Sequence, residues 1–311
     1  MSATTLPVLA LMCNALVWGV SWWPFRQLQA QGLHPLWSTA LVYWFAVICL
    51  LLWRPNAWRG MAAHHGLWLL FLASGLTNVG FNWAVATGDV LRVVLLFYLM
   101  PVWSVPLAWW LLAERPRAAA LWRLALAALG VLIVLKTPGT DWPVPQSLPD
   151  WLGLMAGFCF ALTNILLLKL RTTPEASRMV AMFGGGALLA SLVAFLGMHT
   201  GMVQAVPAAS ASWVWLALAL SVAFLLGNLA LQYGAARLPA HTTALVMLTE
   251  VVFASLSAGA LGAAQLEAHT LLGGSLILAA SLLAAWPAPA NARKAVKAVK
   301  GDSGPGAARQ G

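Results

Sequence analysis

Hydrophobic positions along this chain come in long blocks with no polar stripe, and the few charged residues fall at the ends of those blocks. The blocks run approximately over 6–25, 36–53, 66–86, 91–112, 119–135, 151–168, 179–198, 213–233, 242–262 and 270–286. Each holds close to the number of residues that a helix rising about 1.5 Å per residue needs to cross a hydrocarbon core about 30 Å thick. Core helices of soluble domains carry a polar face, whereas these blocks are apolar all round. The pattern predicts an all-α membrane protein with ten transmembrane helices.

Basic residues orient that bundle. With the N-terminus in the cytoplasm, alternate connections collect fourteen Lys and Arg on the inner side, from Arg54 and Arg59 to Arg293 and Arg309. The outer side keeps only Arg26, Arg92 and Lys136. Short cytoplasmic loops carry such an excess, so both termini are expected inside, with the protein multi-pass in the cytoplasmic (inner) membrane. One helix more or fewer would scramble the asymmetry.

Composition then removes several classes of function. Only 8% of residues are charged, and the net charge of +9 is spread over loops rather than gathered on one soluble face. That distribution suits an anionic leaflet and gives no nucleic-acid footprint. Residues 288–311, rich in Ala, Gly and Lys, read as a disordered basic cytoplasmic tail. Cys13, Cys49 and Cys159 all lie inside apolar blocks, which argues against a disulfide framework or a CxxC site. The first block lacks a basic leader and a small-residue cleavage site, so it reads as retained.

One connection differs from the rest. Residues 137–149 are the core of a stretch with four prolines, TPGTDWPVPQSLPD, expected to run extended as an external linker. It divides the chain into a first five-helix unit, 1–136, and a second, 150–287. An offset of 150 places Asn78 on Asn228 and Asn82 on Gln232, with Trp83 on Tyr233. Aliphatic matches mean little in such a chain, but amides inside spans are scarce. Five is odd, so the second unit must cross in the opposite sense. Two inverted five-helix repeats with a site near the midplane is a common plan of secondary transporters. Pseudo-symmetry would then place one amide pair toward each mouth of a shared cavity.

Several motifs here resemble the drug/metabolite transporter superfamily, in particular its EamA type with two five-helix repeats. The carriers are NALVWGVSWWPFR at 14–26, LMPVWSVPLAWWLLAERP at 99–116 and MLTEVVFASLSAGALGA at 247–263. Two positions depart from the pattern. Val251 stands where a proline often follows the acid, and Ala264-Gln265 stands where the second repeat usually closes with Glu. The resemblance implies transport of small organic molecules, frequently export, and often an acid in the ninth helix.

Within the spans, few residues carry chemistry. Glu250 is the ninth residue of its block, and no other charged side chain lies so deep. A carboxylate at the midplane costs at least about 2.5–3.5 kcal/mol, so it reads as a proton-coupling or substrate-amine site, or as a neutral carboxyl bonded to a neighbour. Asn14, Trp18, Trp22 and Arg26 recur every four residues and form one stripe on the first helix. That stripe suits stacking and cation–π contact with an organic substrate, although Trp18 could simply pack. Tyr98, with Pro101 and Pro106 in the same block, marks a kinked fourth helix whose freed carbonyls need protein or a wet cavity. Asn164 with Phe160 is the sixth-helix counterpart of the stripe. The candidate substrate site is therefore Asn14, Trp18, Trp22, Asn78, Asn82, Tyr98, Asn164, Asn228, Gln232 and Glu250. Gly153, Gly157, the run at 184–186 and Gly262 read as close helix packing.

Other classes fare worse. HExxH, GxSxG and Walker A motifs are absent, and Asp89, Asp141, Asp150 and all six histidines sit at or beyond span ends. The expectation is a secondary transporter of a small organic metabolite, an amino acid or amine-like compound, needing neither ATP nor cofactor nor metal. A proton is the candidate coupling ion. The alternatives are a membrane-embedded enzyme, or a scaffold needing neither the deep acid nor the spaced amides. Expected partners are a small-molecule substrate and the lipid bilayer, with monomer and homodimer both open.

Overall fold

A computed structural model describes residues 5–113, 118–136, 144–235, 237, 246–247, 249–263 and 267–285. Outside the described residues lie the tail at 288–311, linker positions 137–143, Ala264-Gln265, and the side chain of Gln232. The described residues contain helices and no strand.

Thirteen helices are described: α1 (Thr5–Val20), α2 (Trp22–Ala30), α3 (Pro35–Trp53), α4 (Arg59–Ala63), α5 (Gly66–Thr87), α6 (Val90–Phe97), α7 (Met100–Leu112), α8 (Ala118–Leu135), α9 (Leu148–Lys169), α10 (Glu175–His199), α11 (Ala211–Ala235), α12 (Thr249–Ala260) and α13 (Ala268–Ala285). Nine of the ten apolar blocks coincide with one of them or with a broken pair, and the other is described over only part of its length. Among the described residues, seven segments are long and apolar enough to cross a membrane: 5–30, 35–53, 66–87, 90–112, 148–169, 175–199 and 211–231. The fifth and tenth blocks have shorter apolar cores, 121–134 and 268–280. The ninth is helical over Thr249–Ala260.

Both broken pairs have a chemical cause. Pro24 brings no N–H to the carbonyl of Val20, and α1 gives way to α2 at Ser21, whose hydroxyl donates to Trp18 O at 2.8 Å. Pro101 likewise brings no N–H to Phe97 O, and α6 ends there. The fourth block is thus interrupted at Pro101, with Tyr98 at the break and buried, whereas Pro106 lies inside α7 without ending it.

The most extensive contacts between helices follow a simple rule. Taken in chain order, the units are α1–α2, α3, α5, α6–α7, α8, α9, α10, α11, α12 and α13. The first packs on the eighth and ninth, and the sixth packs on the third and fourth. The second packs on the seventh and eighth, and the third on the seventh. The fifth pairs with the tenth. Advancing each unit by five leaves this set of partners unchanged.

Glycine allows the tightest of these contacts. A Cβ on Gly19 would lie 2.7 Å from the backbone oxygen of Glu250. One on Gly157 would lie 2.5 Å from Phe97 O. The first helix of each half therefore meets the fourth helix of the other half backbone to backbone. The run at 184–186 is also close packing, since a Cβ on Gly185 would lie 2.0 Å from Phe71 O.

One ion pair ties the halves at the end of the bundle next to the proline-rich linker. Arg92 on α6 forks onto Asp150 on α9, at 2.8 and 3.0 Å, and its Nη1 donates to Val134 O at 2.7 Å. Asp150 was expected outside the spans; it is buried at the first turn of α9, where it also accepts from Gln146 N at 3.0 Å. Bidentate geometry with the remaining lone pairs bonded is the condition for burying such a pair.

Candidate functional site

The deep acid has a partner from the other half of the chain. Tyr98, at the α6–α7 break, donates its hydroxyl to Glu250 Oε2 on α12 at 3.1 Å, and the same hydroxyl lies 3.5 Å from Met247 O. Both side chains are buried, Tyr98 3% and Glu250 7% exposed. Asn14 Nδ2 on α1 donates to the Met247 sulfur at 3.6 Å, so α1, α6 and the approach to α12 meet at one point. Gly19 makes the meeting possible, because any larger residue there would hold α12 away.

A second polar group lies between α3 and α5. Tyr43 donates its hydroxyl to Asn78 Oδ1 at 2.7 Å, and Asn82 Nδ2 donates to Thr39 Oγ1 at 3.2 Å. Aromatic rings connect the two groups. Tyr43 meets Phe224 on α11 at 6.3 Å between centroids, and Phe224 meets Trp18 at 4.8 Å. Trp18 meets Phe81 at 6.0 Å, Phe81 meets Phe97 at 4.7 Å, and Phe97 meets Tyr98 at 5.7 Å. This arc draws on five helices and ends at each side on a buried tyrosine hydroxyl. Such ring contacts add about 0.5–1.5 kcal/mol each beyond the area they bury.

Two buried acceptors on this arc lack a partner. Asn14 Oδ1 and Asn82 Oδ1 are fully enclosed and accept nothing. Their orientation follows from their neighbours. The Met247 sulfur can only accept, so Asn14 must turn its amide nitrogen toward it. Thr39 spends its proton on Pro35 O at 2.8 Å, so Asn82 must also present its nitrogen. In both cases the carbonyl oxygen is left over. A buried acceptor without a donor costs about 1–3 kcal/mol, which a ligand N–H or O–H would recover.

The remaining sequence candidates separate. Trp22 is buried and donates Nε1 to Ser257 Oγ on α12 at 2.9 Å, and Arg26 lies 5.2 Å from its ring centre. The first-helix stripe is therefore real, but from Trp22 onward it follows the α12 seam away from the aromatic arc. Asn228 is half-buried and donates to Phe224 O of its own helix at 2.9 Å. Asn164 is exposed on α9, with its neighbour Thr163 taking the buried position, because adjacent helical residues point about 100° apart. The structure does not bring Asn164 into the buried group.

Sequence reasoning missed Tyr43, Thr39, Phe81, Phe97 and Phe224. A signal existed for Tyr43. The chain has three tyrosines, and two of them sit inside apolar blocks, where a hydroxyl needs a partner. The phenylalanines carried none, because Phe is ordinary in any span. His34 caps α3 by accepting from Leu36 N at 3.2 Å, and burial lowers its pKa, which keeps the ring nitrogen free to accept.

Comparisons with known proteins agree with this fold. Residues 5–136 match the sequence model of the EamA-like transporter family. That match covers less than half of the chain. An uncharacterized transporter of Pseudomonas aeruginosa, PA0485, is 31% identical over 130 residues, or 40% of this chain and 41% of the relative. The chain thus matches less than half the length of that relative. A crystal structure, described only as that of a protein, superposes with a TM-score of 0.54 at 17% identity, over 91% of this chain and 96% of the other. At that identity it speaks for the fold alone. Seven long apolar helices among the described residues, together with the match to a transporter family, support a multi-pass membrane protein.

Proposed function

We propose that this protein is a secondary transporter moving a small organic metabolite, an amino acid or amine-like compound, across the cytoplasmic membrane by alternating access. Export is the proposed direction, and Glu250 the proposed proton carrier. The observation that carries the reading is the Tyr98–Glu250 bond, formed between the two halves at the end of an aromatic arc with two unfilled acceptors. Carboxylate, amide oxygens and ring faces together favour a ligand with N–H donors and an apolar body.

Support for two inverted repeats comes from the exchange of packing partners and from the paired glycine contacts at Gly19 and Gly157. In a repeat of this kind the two halves rock against each other around a fixed site. Tyr98 and Glu250 stand on opposite sides of that boundary. Their hydrogen bond would therefore sense both the rocking motion and the protonation of the carboxyl. A neutral Glu250 would hold the Tyr98 hydroxyl more weakly, leaving it freer to turn to Met247 O, the second acceptor already within 3.5 Å.

Single-cysteine labelling on a background lacking Cys13, Cys49 and Cys159 tests both topology and mechanism. Cysteines at 144 and 205 should react from outside and one at 172 should not; the reverse would overturn the orientation. Cysteines at 82 and 228 should change accessibility in opposite directions when a transported amino acid or amine is added. If both stay closed throughout, the amides are packing bonds of about 0.6–2 kcal/mol and alternating access loses its site.

A further inference from the structure

A cavity of about 370 Å³ opens where α2 meets the turn after α12, lined among others by Trp22, Trp23, Arg26, Gln27, Gly262 and Ala263. We propose that it is a binding site for organic carboxylates with a flat apolar body, separate from the buried group around Glu250.

The guanidinium is held in place before any ligand arrives. Arg26 Nε donates to Val85 O at 3.3 Å and Nη2 donates to Gly88 O, both carbonyls at the C-terminal end of α5. Those bonds use the Nε–Nη2 edge of the fork and explain why the side chain turns back across α5. They leave the Nη1–Nη2 edge, which is the edge a carboxylate can take with two parallel hydrogen bonds. No nitrogen of Arg26 is among the buried atoms lacking a partner, so the unused edge is open to the cavity side. The acid whose field reaches Arg26 is Asp89, and it caps α6 by accepting from Arg92 N at 2.8 Å.

The floor for the apolar body is equally fixed. Trp22 is 3% exposed, and its Nε1 is tied to Ser257 Oγ at 2.9 Å, so its ring cannot turn. The Arg26 guanidinium carbon sits over that ring, 5.2 Å from its centre, so cation and indole form one continuous wall. Trp23, 43% exposed, adds a second indole to the wall. On the α12 side the chain turns through Gly262 at φ +64°, where a Cβ would meet nothing within 4 Å. Among the described residues no side chain meets that position, and the amide of Gln27 supplies a further polar contact at the lining. A ligand entering here loses little to reorganisation of the protein, which is what converts a single ion pair into usable affinity.

The site is polarised opposite to the buried group. Around Glu250 the unfilled atoms accept hydrogen bonds, whereas here the unfilled edge donates them. A zwitterion would thus find its carboxylate recognised at this mouth and its ammonium recognised within.

Titration of the full-length protein in lipid nanodiscs with 3-phenylpropionate, phenethylamine and acetate, followed by calorimetry, tests the proposal. Saturable binding of 3-phenylpropionate is expected, with phenethylamine and acetate at least about tenfold weaker, because one lacks the anion and the other the ring. Arg26→Gln should weaken 3-phenylpropionate by about tenfold or more. That substitution also removes two bonds to the end of α5, so Ala263→Trp provides the control. It fills the cavity without touching the fork and should block binding while the thermal midpoint stays near that of the unsubstituted protein. Glu250→Gln should leave 3-phenylpropionate binding unchanged, which separates this site from the transport reading. Undiminished binding in folded Ala263→Trp, equal binding of phenethylamine, or no binding of 3-phenylpropionate at all would each overturn it.

Discussion

Glu250→Gln is expected to abolish substrate accumulation driven by a pH gradient while leaving the protein folded and able to exchange substrate. Glutamine keeps the shape of the protonated acid, and its side-chain oxygen can still accept from the Tyr98 hydroxyl, which lies 3.1 Å from Oε2 in the native pair. A neutral amide is also cheaper to bury than a charge, so the variant should express like the native chain. What it cannot do is take up and release a proton. Gradient-driven uptake in proteoliposomes should fall to the level of protein-free vesicles, with counterflow of preloaded substrate retained. Glu250→Ala is a poorer probe, because it opens a cavity beside the Gly19 contact and can fail through stability alone. Native transport by Glu250→Gln across pH 5.5–8 would make the acid structural. Loss of binding together with transport would instead place the carboxylate directly on a substrate amine.

Gly185→Ala should be among the most destabilising single substitutions in the chain, although it adds one methyl group. Its Cβ would lie 2.0 Å from Phe71 O and 3.2 Å from Gly75 N, and these are backbone atoms that no rotamer change can move. Gly75 meets the same limit from the other side, with a Cβ 2.5 Å from Gly185 O. Helices α5 and α10 would have to separate along their shared seam. Overpacking of this kind costs about 1–3 kcal/mol even where the surroundings relax, and two facing backbones relax poorly. Gly184→Ala is the matched control, since its Cβ would meet only the Phe71 ring at 3.4 Å. Thermal unfolding in detergent should show a clearly lower midpoint for Gly185→Ala and one near native for Gly184→Ala. Equal midpoints would mean that α5 and α10 do not approach as closely as described.

The sequence displayed the helices because lipid leaves few alternatives. A span must satisfy its backbone internally, so each apolar block had to be helical, and nine of the ten blocks fall on described helices or broken pairs, the ninth being described over 249–260. Pro101 also marked the break in the fourth block, since a missing N–H acts locally, whereas the break before Pro24 was not anticipated. Glu250 could be singled out for the same reason: a lone acid among apolar neighbours stands out by its cost. Its partner could not. Nothing in the spacing of Tyr98 and Glu250 along the chain, 152 residues apart, brings them together; only the packing of α6 against α12 does.

The amides show the limit from the other side. Asn78, Asn82 and Asn228 drew attention as scarce polar groups at matching positions, yet their bonds differ. Asn78 and Asn82 reach across to α3, while Asn228 bonds back to its own helix. The analogy with Asn14 points Asn164 inward, but its side chain is exposed while that of Thr163 is buried. In a helix apolar on every face, periodicity cannot say which side looks at protein and which at lipid, so the facing of single polar residues was not legible. The Arg92–Asp150 pair was hidden for another reason. Both residues stand at block ends, where charges are ordinary, and only their bidentate burial distinguishes them.

The most direct test of proton-coupled transport is accumulation by the native protein. Reconstituted in proteoliposomes, it should be presented with a panel of amino acids and organic amines, with an imposed pH gradient and again after a protonophore has collapsed it. The account predicts that at least one member of the panel accumulates above its external concentration under the gradient and only equilibrates once the gradient is gone. Equal movement with and without the gradient, or no movement of any member of the panel, would contradict it.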